Sequence, residues 1–215
     1  MKLSVTSLSS QVYQILKEKI MSNEIPAGQR IVDSQVASEF GISRTPVRDA
    51  LLKLCEDGLV VVNQGNKGYY VYQPVEKDIK EVFELRLFFD VSAVHKIIEN
   101  GFPADQALIE RFNLAYKKNL ECLENDDFVQ ADEEFHKALI ALCENERFSA
   151  LYENVCAYTR IFRIHTSMLP DRVRRALELH TEIYEGLVAK DIQKTLAALN
   201  SHVEISISNA YDDLK

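Results

Sequence analysis

The sequence lacks long apolar runs and paired cysteines, and both absences narrow the class of protein. Apolar runs such as residues 59–62 are far too short to span a bilayer. The first residues contain no signal-peptide core, so we expect a cytoplasmic protein without a membrane segment. The four cysteines are scattered and form no C-x-x-C pair. This spacing favours reduced cytosolic thiols over a disulfide framework.

Familiar catalytic motifs are also missing. The chain contains no H-E-x-x-H segment, nucleophile elbow or P-loop, and no internal repeat. We therefore do not expect an enzyme. A metal-dependent hydrolase is the alternative from another class, because a metal held by histidines could activate water, but catalysis also needs a positioned acid or base.

The acidic balance of the chain argues at first against a nucleic-acid partner. The formal net charge is −8. Residues 1–73, however, carry eight Lys/Arg and seven Asp/Glu, a net charge of +1, so residues 74–215 carry the whole acidic excess. A near-neutral module can still bind DNA when its cations lie on one face. Composition permits this function and does not establish it.

The first 73 residues predict three helices followed by a hairpin. Apolar residues recur at helical spacing over residues 8–21. A second helix is expected at residues 34–40, with Asp33 as its N-cap, and a third runs to about residue 57. Two strands, 59–63 and 68–72, flank turn-forming residues. This order predicts a winged helix-turn-helix domain over residues 1–73.

Beyond Pro74 only long amphipathic segments remain. They predict six helices, at residues 76–99, 104–124, 127–144, 147–168, 171–189 and 192–212. The loops between them are short, which favours antiparallel packing of neighbouring helices. We therefore predict a mainly α protein, with an all-α antiparallel helical bundle over residues 74–215.

The start of the third helix carries the candidate DNA contacts. In a helix-turn-helix the second helix lies in the major groove, and its first residues reach bases and phosphates. Arg44 and Arg48 are four residues apart and share a face, and arginine suits bidentate contact with guanine or phosphate. Ser43 and Thr45 lie at the same end, and Gly65 would let the wing approach the duplex closely. An isolated arginine pair could also be merely solvated.

Residues 43–60, SRTPVRDALLKLCEDGLV, resemble the motif of the GntR family of bacterial regulators, S-R-T-P-V-R-E-A-L followed by G-L-V. Only Asp49 departs from it. Residues 26–31 also resemble the P-x-G-x-x-L segment of that family, whereas Ser34 stands where related proteins often carry a base-reading arginine. The resemblance implies a homodimer that binds double-stranded operator DNA and regulates transcription.

Acidic and imidazole side chains in the helical half suggest a metal site. Asp132 and His136 are four residues apart, so both can point to the same place. His180 and His202 lie on the last two predicted helices. One carboxylate and three imidazoles suit a divalent cation such as zinc or nickel. Single histidines are more often core or surface residues, so spacing alone leaves that interpretation open as well.

Residues 75–212 resemble the all-helical FCD effector domain of the FadR branch of the same family, in its shorter six-helix form. Members with a metal use a D-x-x-x-H pair and two histidines on the last two helices, and the four residues above match these positions. The resemblance implies a metal that helps to bind a small carboxylate effector. An alternative is a regulator for which the metal itself is the signal.

The resemblance also places further residues near the effector. Arg86 matches an arginine of the first effector helix, and Asn145 matches an asparagine that often follows the D-x-x-x-H helix. Arg160 and Arg163 are additional candidates, although both could be solvated. The two remaining histidines match nothing in the motif and are expected to be structural or surface residues: His95 and His165. The resulting hypothesis is a ligand-responsive repressor with a metal-assisted effector pocket.

Overall fold

The structure, a computed structural model, describes residues 7–63, 68–122, 128–164 and 169–214. Contacts divide the chain into two compact units, residues 1–74 and 75–215. The division falls at Pro74, where the mixed helices and strands of the first unit give way to helices alone. Each unit therefore has its own core and its own candidate site.

Three helices and three short strands make up the described part of the first unit. They are α1 (Leu8–Met21), β1 (Arg30–Ile31), α2 (Asp33–Glu39), α3 (Arg44–Glu56), β2 (Val60–Asn63) and β3 (Gly68–Val71). Helices α1 and α3 pack against each other through apolar side chains spaced three or four residues apart. These buried side chains include Val12, Leu16, Ile20, Val47, Leu51 and Leu54.

The described strands form one antiparallel sheet in the order β1-β3-β2. Strands β2 and β3 make the expected hairpin, and β1 joins through Arg30, which lies opposite Tyr70. This arrangement confirms the predicted winged helix-turn-helix. The sequence did not predict β1, because two residues are too few to show an alternating pattern. The predicted contact Gly65 belongs to residues 64–67, which lie outside the described residues.

The described part of the second unit consists of six helices, which confirms the predicted helical domain. They are α4 (Glu76–Asn100), α5 (Gln106–Glu121), α6 (Phe128–Ala141), α7 (Glu146–Ile164), α8 (Pro170–Val188) and α9 (Ile192–Asp212). Helix α4 packs against α6, α7 and α9, while α8 packs against α5 and α9. Among the described helices, none is long and apolar enough to cross a membrane.

Helices α8 and α9 approach each other closely at Gly186. A Cβ atom at this position would lie 2.5 Å from Oγ1 of Thr195 and 3.1 Å from its backbone nitrogen. Such distances leave no room for a side chain. Glycine at position 186 therefore allows the close approach of the two helices that carry His180 and His202.

Local geometry corrects two of the predicted helix ends. Asp33 does not cap α2 from outside; it is the first helical residue, Val32 precedes it, and its carboxylate binds arginines of α3. Helix α6 ends at Ala141 rather than at residue 144, because the backbone amides of residues 142–144 bond to carbonyls three rather than four residues back, and Glu144 then adopts a φ of 49° in the left-handed region. The other helix ends described lie within a few residues of the predicted ones.

Candidate functional site

Four buried side chains from three helices converge in the second unit. Asp132 and His136 lie on α6, His180 on α8 and His202 on α9, and none is more than 2% exposed. Each offers one ligand atom, and these atoms all lie within 4.8 Å of one another. We call these four residues the Asp/His cluster. The structure thus brings together the complete set of residues proposed as metal ligands.

Neighbouring oxygens fix the orientation of two of the imidazole rings. Nδ1 of His136 lies 2.9 Å from Oδ2 of Asp90 on α4. Nδ1 of His180 lies 2.7 Å from Oδ1 of Asn119 on α5. An ionised carboxylate or an amide oxygen can only accept. When Asp90 is ionised, each Nδ1 therefore carries the hydrogen and each Nε2 presents a lone pair to the cluster. The Nε2 atoms of His136 and His180 lie 3.3 Å apart.

The two carboxylate oxygens of Asp132 have different surroundings. Oδ2 accepts a hydrogen bond from Nη2 of Arg86 at 2.8 Å and lies 3.0 Å from Nη2 of Arg163. Oδ1 is buried without a hydrogen-bond partner and lies 3.3 Å from Nε2 of His180 and 3.4 Å from Nε2 of His202. The arginines therefore neutralise the carboxylate from one side, and its free oxygen faces the imidazoles.

This arrangement of acceptor atoms fits a divalent cation. Buried acceptors without a donor carry a desolvation cost that a cation removes. A tetrahedral ion with bonds of about 2.1 Å separates its ligand atoms by about 3.4 Å. The separations of 3.3 and 3.4 Å among Oδ1 of Asp132 and the imidazole Nε2 atoms are close to that value. Three imidazole nitrogens and one carboxylate oxygen suit zinc or nickel ions better than calcium or magnesium.

The electrostatic surroundings keep the Asp/His cluster in the protonation state that metals need. Burial lowers the pKa of all three histidines, so the imidazoles are neutral. Burial alone would raise the pKa of Asp132, but Arg163 and Arg86 hold it well below the usual range. Burial raises the pKa of Asp90 to about 7 against the opposing charge of Arg86. Neutral imidazoles beside an ionised carboxylate can accept a cation directly.

Arg86 and Arg163 lie directly beside the Asp/His cluster, whereas Arg160 and Asn145 have other contacts. Arg160 is half-exposed, and its Nε donates to Glu133 at 2.9 Å. It still lines a small cavity of about 10 Å³ together with Arg86, Asp132 and Arg163. Asn145 is exposed, and its Oδ1 accepts from the backbone N–H of Phe148 at the start of α7. Its described contacts therefore belong to a helix end.

A second small cavity, of about 30 Å³, also adjoins the cluster. It is lined mainly by apolar side chains, and His202 and Arg163 connect it with the candidate metal ligands. Its apolar walls include Phe83, Phe128, Phe162, Val173 and Ile205. Cationic Arg163 therefore lines both cavities and also contacts Asp132 of the cluster.

Two of the candidate DNA contacts, Arg44 and Arg48, line a groove of about 560 Å³ between α3 and the sheet of the first unit. The side chains of Arg44 and Arg48 are 55% and 57% exposed, and both bind Asp33. Ser43 and Thr45 are exposed at the start of α3. The predicted arginine pair therefore shares one face, as its spacing requires.

Sequence reasoning missed residues that support both sites. Asp90 and Asn119 orient the histidines, but each lies far from its partner in the chain and matches no spacing rule. In the first unit, Arg30 lines the groove from β1, an element that was not predicted. Only the spacing of Asp90, four residues after Arg86, offered a sequence pattern that could have been noticed.

Comparisons with known proteins match a family model to each unit of the chain. The family model "Bacterial regulatory proteins, gntR family" matches residues 8–71, and the model "FCD domain" matches residues 81–205. The HTH-type transcriptional regulator YdhC of Bacillus subtilis is 26% identical over 206 residues, covering 95% of this chain and 90% of its own. The gluconate operon transcriptional repressor of Bacillus subtilis is 21% identical over 217 residues, covering 99% and 88%.

Solved structures show the same architecture. A transcriptional regulator GntR from Rhodococcus sp. RHA1 superposes with a TM-score of 0.74 at 25% identity, covering 95% of this chain and 97% of that one. Escherichia coli McbR/YncC superposes with a TM-score of 0.69 at 22% identity, covering 98% and 100%, and supports the fold alone. The relatives whose names state a function are transcriptional regulators rather than enzymes, which confirms the expectation of a non-enzyme. The chain is a DNA-binding transcriptional regulator and belongs to the GntR family, with an FCD domain after its winged helix-turn-helix.

Proposed function

We propose that the chain is a ligand-responsive repressor whose FCD domain binds a small organic acid with the help of a divalent metal. The observation that carries this proposal is the Asp/His cluster, in which Oδ1 of Asp132 is buried without a partner and faces imidazole nitrogens. A purely structural cluster would be expected to satisfy that oxygen with a donor. Repression is favoured because one full-length relative is described as a transcriptional repressor.

The proposed metal is zinc or nickel, held by Asp132, His136, His180 and His202. When bound, it supplies a positive centre that attracts the carboxylate oxygens of the effector. The other contributions to effector binding come from side chains of the protein. Arg86 and Arg163 neutralise Asp132 and add positive charge beside the effector, and the apolar walls of the adjoining cavity exclude water. Arg160 and Asn145 remain proposed effector contacts.

The proposed DNA surface consists of Ser43, Arg44, Thr45, Arg48 and Gly65. The helix N-terminus favours phosphate, and the two arginines supply donors for phosphate or for guanine edges. Their exposure and their common face support this assignment. In the proposed homodimer, two such surfaces bind the two halves of a pseudo-palindromic operator in the cytoplasm.

Regulation follows from a shift between two states of the dimer. An effector that binds one state more tightly than the other moves the equilibrium towards that state. Coupling of about 1–3 kcal/mol between effector and operator would change operator affinity by 5- to 150-fold. We propose that effector binding releases the operator.

The decisive experiment separates the metal from the effector. A duplex is first selected from a random-sequence pool with the zinc-loaded protein, and its affinity is measured with zinc, after chelation, and with zinc plus a panel of small carboxylates. The proposal predicts that one carboxylate lowers the affinity only when the metal is present. If chelation alone switches binding and no carboxylate does, the metal itself is the signal. Full operator response in a protein that binds no metal would contradict the proposed pocket.

A further inference from the structure

Asp33 lies in the DNA groove between the two arginines that we assign to the operator. Its two carboxylate oxygens accept hydrogen bonds from Nη2 of Arg44, both at 2.9 Å. Oδ2 also accepts from Nε of Arg48 at 2.7 Å. The Asp33 side chain is only 13% exposed, although both of its partners are more than half exposed. Asp33 therefore binds both of the exposed arginines of α3 at the same time.

These contacts leave donors of both arginines available. Arg44 uses only Nη2 towards Asp33, and Arg48 uses only Nε. The other guanidinium nitrogens of the pair take no part in the described hydrogen bonds with Asp33. A guanidinium has five donor hydrogens in a rigid fork, so fixing one edge also fixes the direction of the others. The pair is thus oriented before DNA arrives.

The same contacts reduce the positive charge of the groove. Arg30, Arg44 and Arg48 supply three cations to its lining, and Asp33 supplies one anion. The neighbouring arginines lower the pKa of Asp33 through their hydrogen bonds, so the carboxylate stays ionised. A fixed negative charge near the duplex repels every phosphate, whatever the sequence. The repulsion weakens binding to any duplex, and only a duplex whose bases match the oriented donors makes contacts that offset it.

We propose that Asp33 is a specificity-determining residue, which orients Arg44 and Arg48 for base edges and suppresses their sequence-independent attraction to phosphates. This inference rests on the proposed DNA surface and deepens it. Asp33 acts through the arginines and is therefore a positioning residue. Its loss relaxes sequence discrimination without abolishing binding.

The test compares two duplexes of equal length and composition. One is selected from a random pool by the wild-type protein, and the other is a shuffled version of it. For Asp33→Asn, which keeps the shape of the side chain, we expect affinity for the shuffled duplex to rise on the order of tenfold, and the ratio of the two affinities to fall accordingly. The slope of log affinity against log salt for the shuffled duplex becomes steeper by about 1.

A matched control distinguishes the effect of a negative charge in the groove from the effect of the net charge of the protein. Glu39→Gln changes charge by the same amount on the same helix, but Glu39 binds Lys19 and does not line the groove. This control is expected to keep the wild-type ratio. Asp33→Glu restores the carboxylate and is expected to recover most of the discrimination. Thermal unfolding of all three variants shows whether they are folded, and Asp33→Ser replaces Asp33→Asn if the latter is not.

The outcomes distinguish this inference from the function on which it rests. A wild-type protein that enriches no duplex would overturn the proposed DNA surface. A wild-type protein that discriminates, with Asp33→Asn discriminating equally well or changing only as much as Glu39→Gln, would overturn the role of Asp33 alone. Equal loss of affinity for both duplexes would likewise show that the acid is merely structural.

Discussion

Oδ2 of Asp90 lies 2.9 Å from Nδ1 of His136, so a residue outside the Asp/His cluster holds one of its rings. Asp90→Asn places an amide there, which can turn its NH2 group towards Nδ1 and move the imidazole hydrogen to Nε2. A protonated Nε2 cannot bind a metal. We expect zinc affinity to fall about 10- to 100-fold, the usual effect of losing such a supporting contact.

Competition with a chelating dye measures the zinc affinity of Asp90→Asn. The control is Asp171→Asn, the same replacement at an exposed residue of the same unit that binds Arg174 on the surface of α8. It should leave zinc affinity unchanged. Wild-type affinity in Asp90→Asn would show that Asp90 does not orient His136.

Metal removal is expected to lower the melting temperature. A ligand at 100 times its dissociation constant stabilises the native state by about 2.7 kcal/mol, which for a protein of this size corresponds to roughly 5–10 °C. Differential scanning calorimetry of the zinc-loaded protein, before and after chelation, measures the shift. His180→Ala removes one proposed ligand, so most of the difference in melting temperature between the zinc-loaded and the chelated protein should disappear.

His95→Ala is the matched control for His180→Ala, because His95 is an exposed residue of α4 outside the Asp/His cluster. This variant should bind zinc and respond to chelation like the wild type. A wild-type melting temperature that is identical with and without the metal would contradict the proposed metal site. Equal zinc content in both variants, by elemental analysis, would exclude His180 as a ligand.

Arg44→Ala should weaken binding to a selected duplex about 10- to 100-fold, because a good arginine–guanine pair contributes about 1–3 kcal/mol. The salt slope should become shallower if the contact is with phosphate. A gel-shift titration measures both quantities. Arg174→Ala, at an exposed arginine of the other unit, serves as the control. Undiminished binding by Arg44→Ala would show that the start of α3 does not contact the DNA.

The helices and the hairpin could be predicted because their signals are local. Apolar spacing, glycine ends and turn residues all act within one or two turns of the chain. Asp132 and His136 were found for the same reason, since they sit four residues apart on one helix. The remaining ligands were assigned through family resemblance. Spacing alone could not bring His180 and His202 to the same place.

The residues that orient the histidines could not be predicted, because they lie far from those histidines in the sequence. Asp90 is 46 residues from His136, and Asn119 is 61 residues from His180. Such pairs depend on how whole helices pack, which no local pattern encodes. The prediction that Asp33 caps α2 was wrong for a different reason. An acid at the start of a helix can either cap that helix or bind a cation elsewhere. Asp33 binds Arg44, which is 11 residues away in the chain.

Gly186→Ala tests whether the spacing of α8 and α9 supports the metal site. In an open helix, alanine is favoured over glycine by about 1 kcal/mol. Here the new Cβ would lie 2.5 Å from Oγ1 of Thr195, which is buried and donates to the carbonyl of Asp191 at 2.7 Å. We therefore expect destabilisation by about 1–3 kcal/mol. Zinc affinity should fall too, because the displaced helices carry His180 and His202.

Denaturant unfolding of the metal-free protein measures the cost of Gly186→Ala, and dye competition measures zinc affinity. Thr195→Ala removes Oγ1 but leaves the backbone nitrogen, 3.1 Å from the new Cβ. The double variant should therefore recover part of the stability, with a favourable coupling free energy between the two sites. A stabilised Gly186→Ala protein would mean that the helices separate easily at this point. Unchanged zinc affinity in a destabilised protein would mean that the metal site does not depend on their spacing.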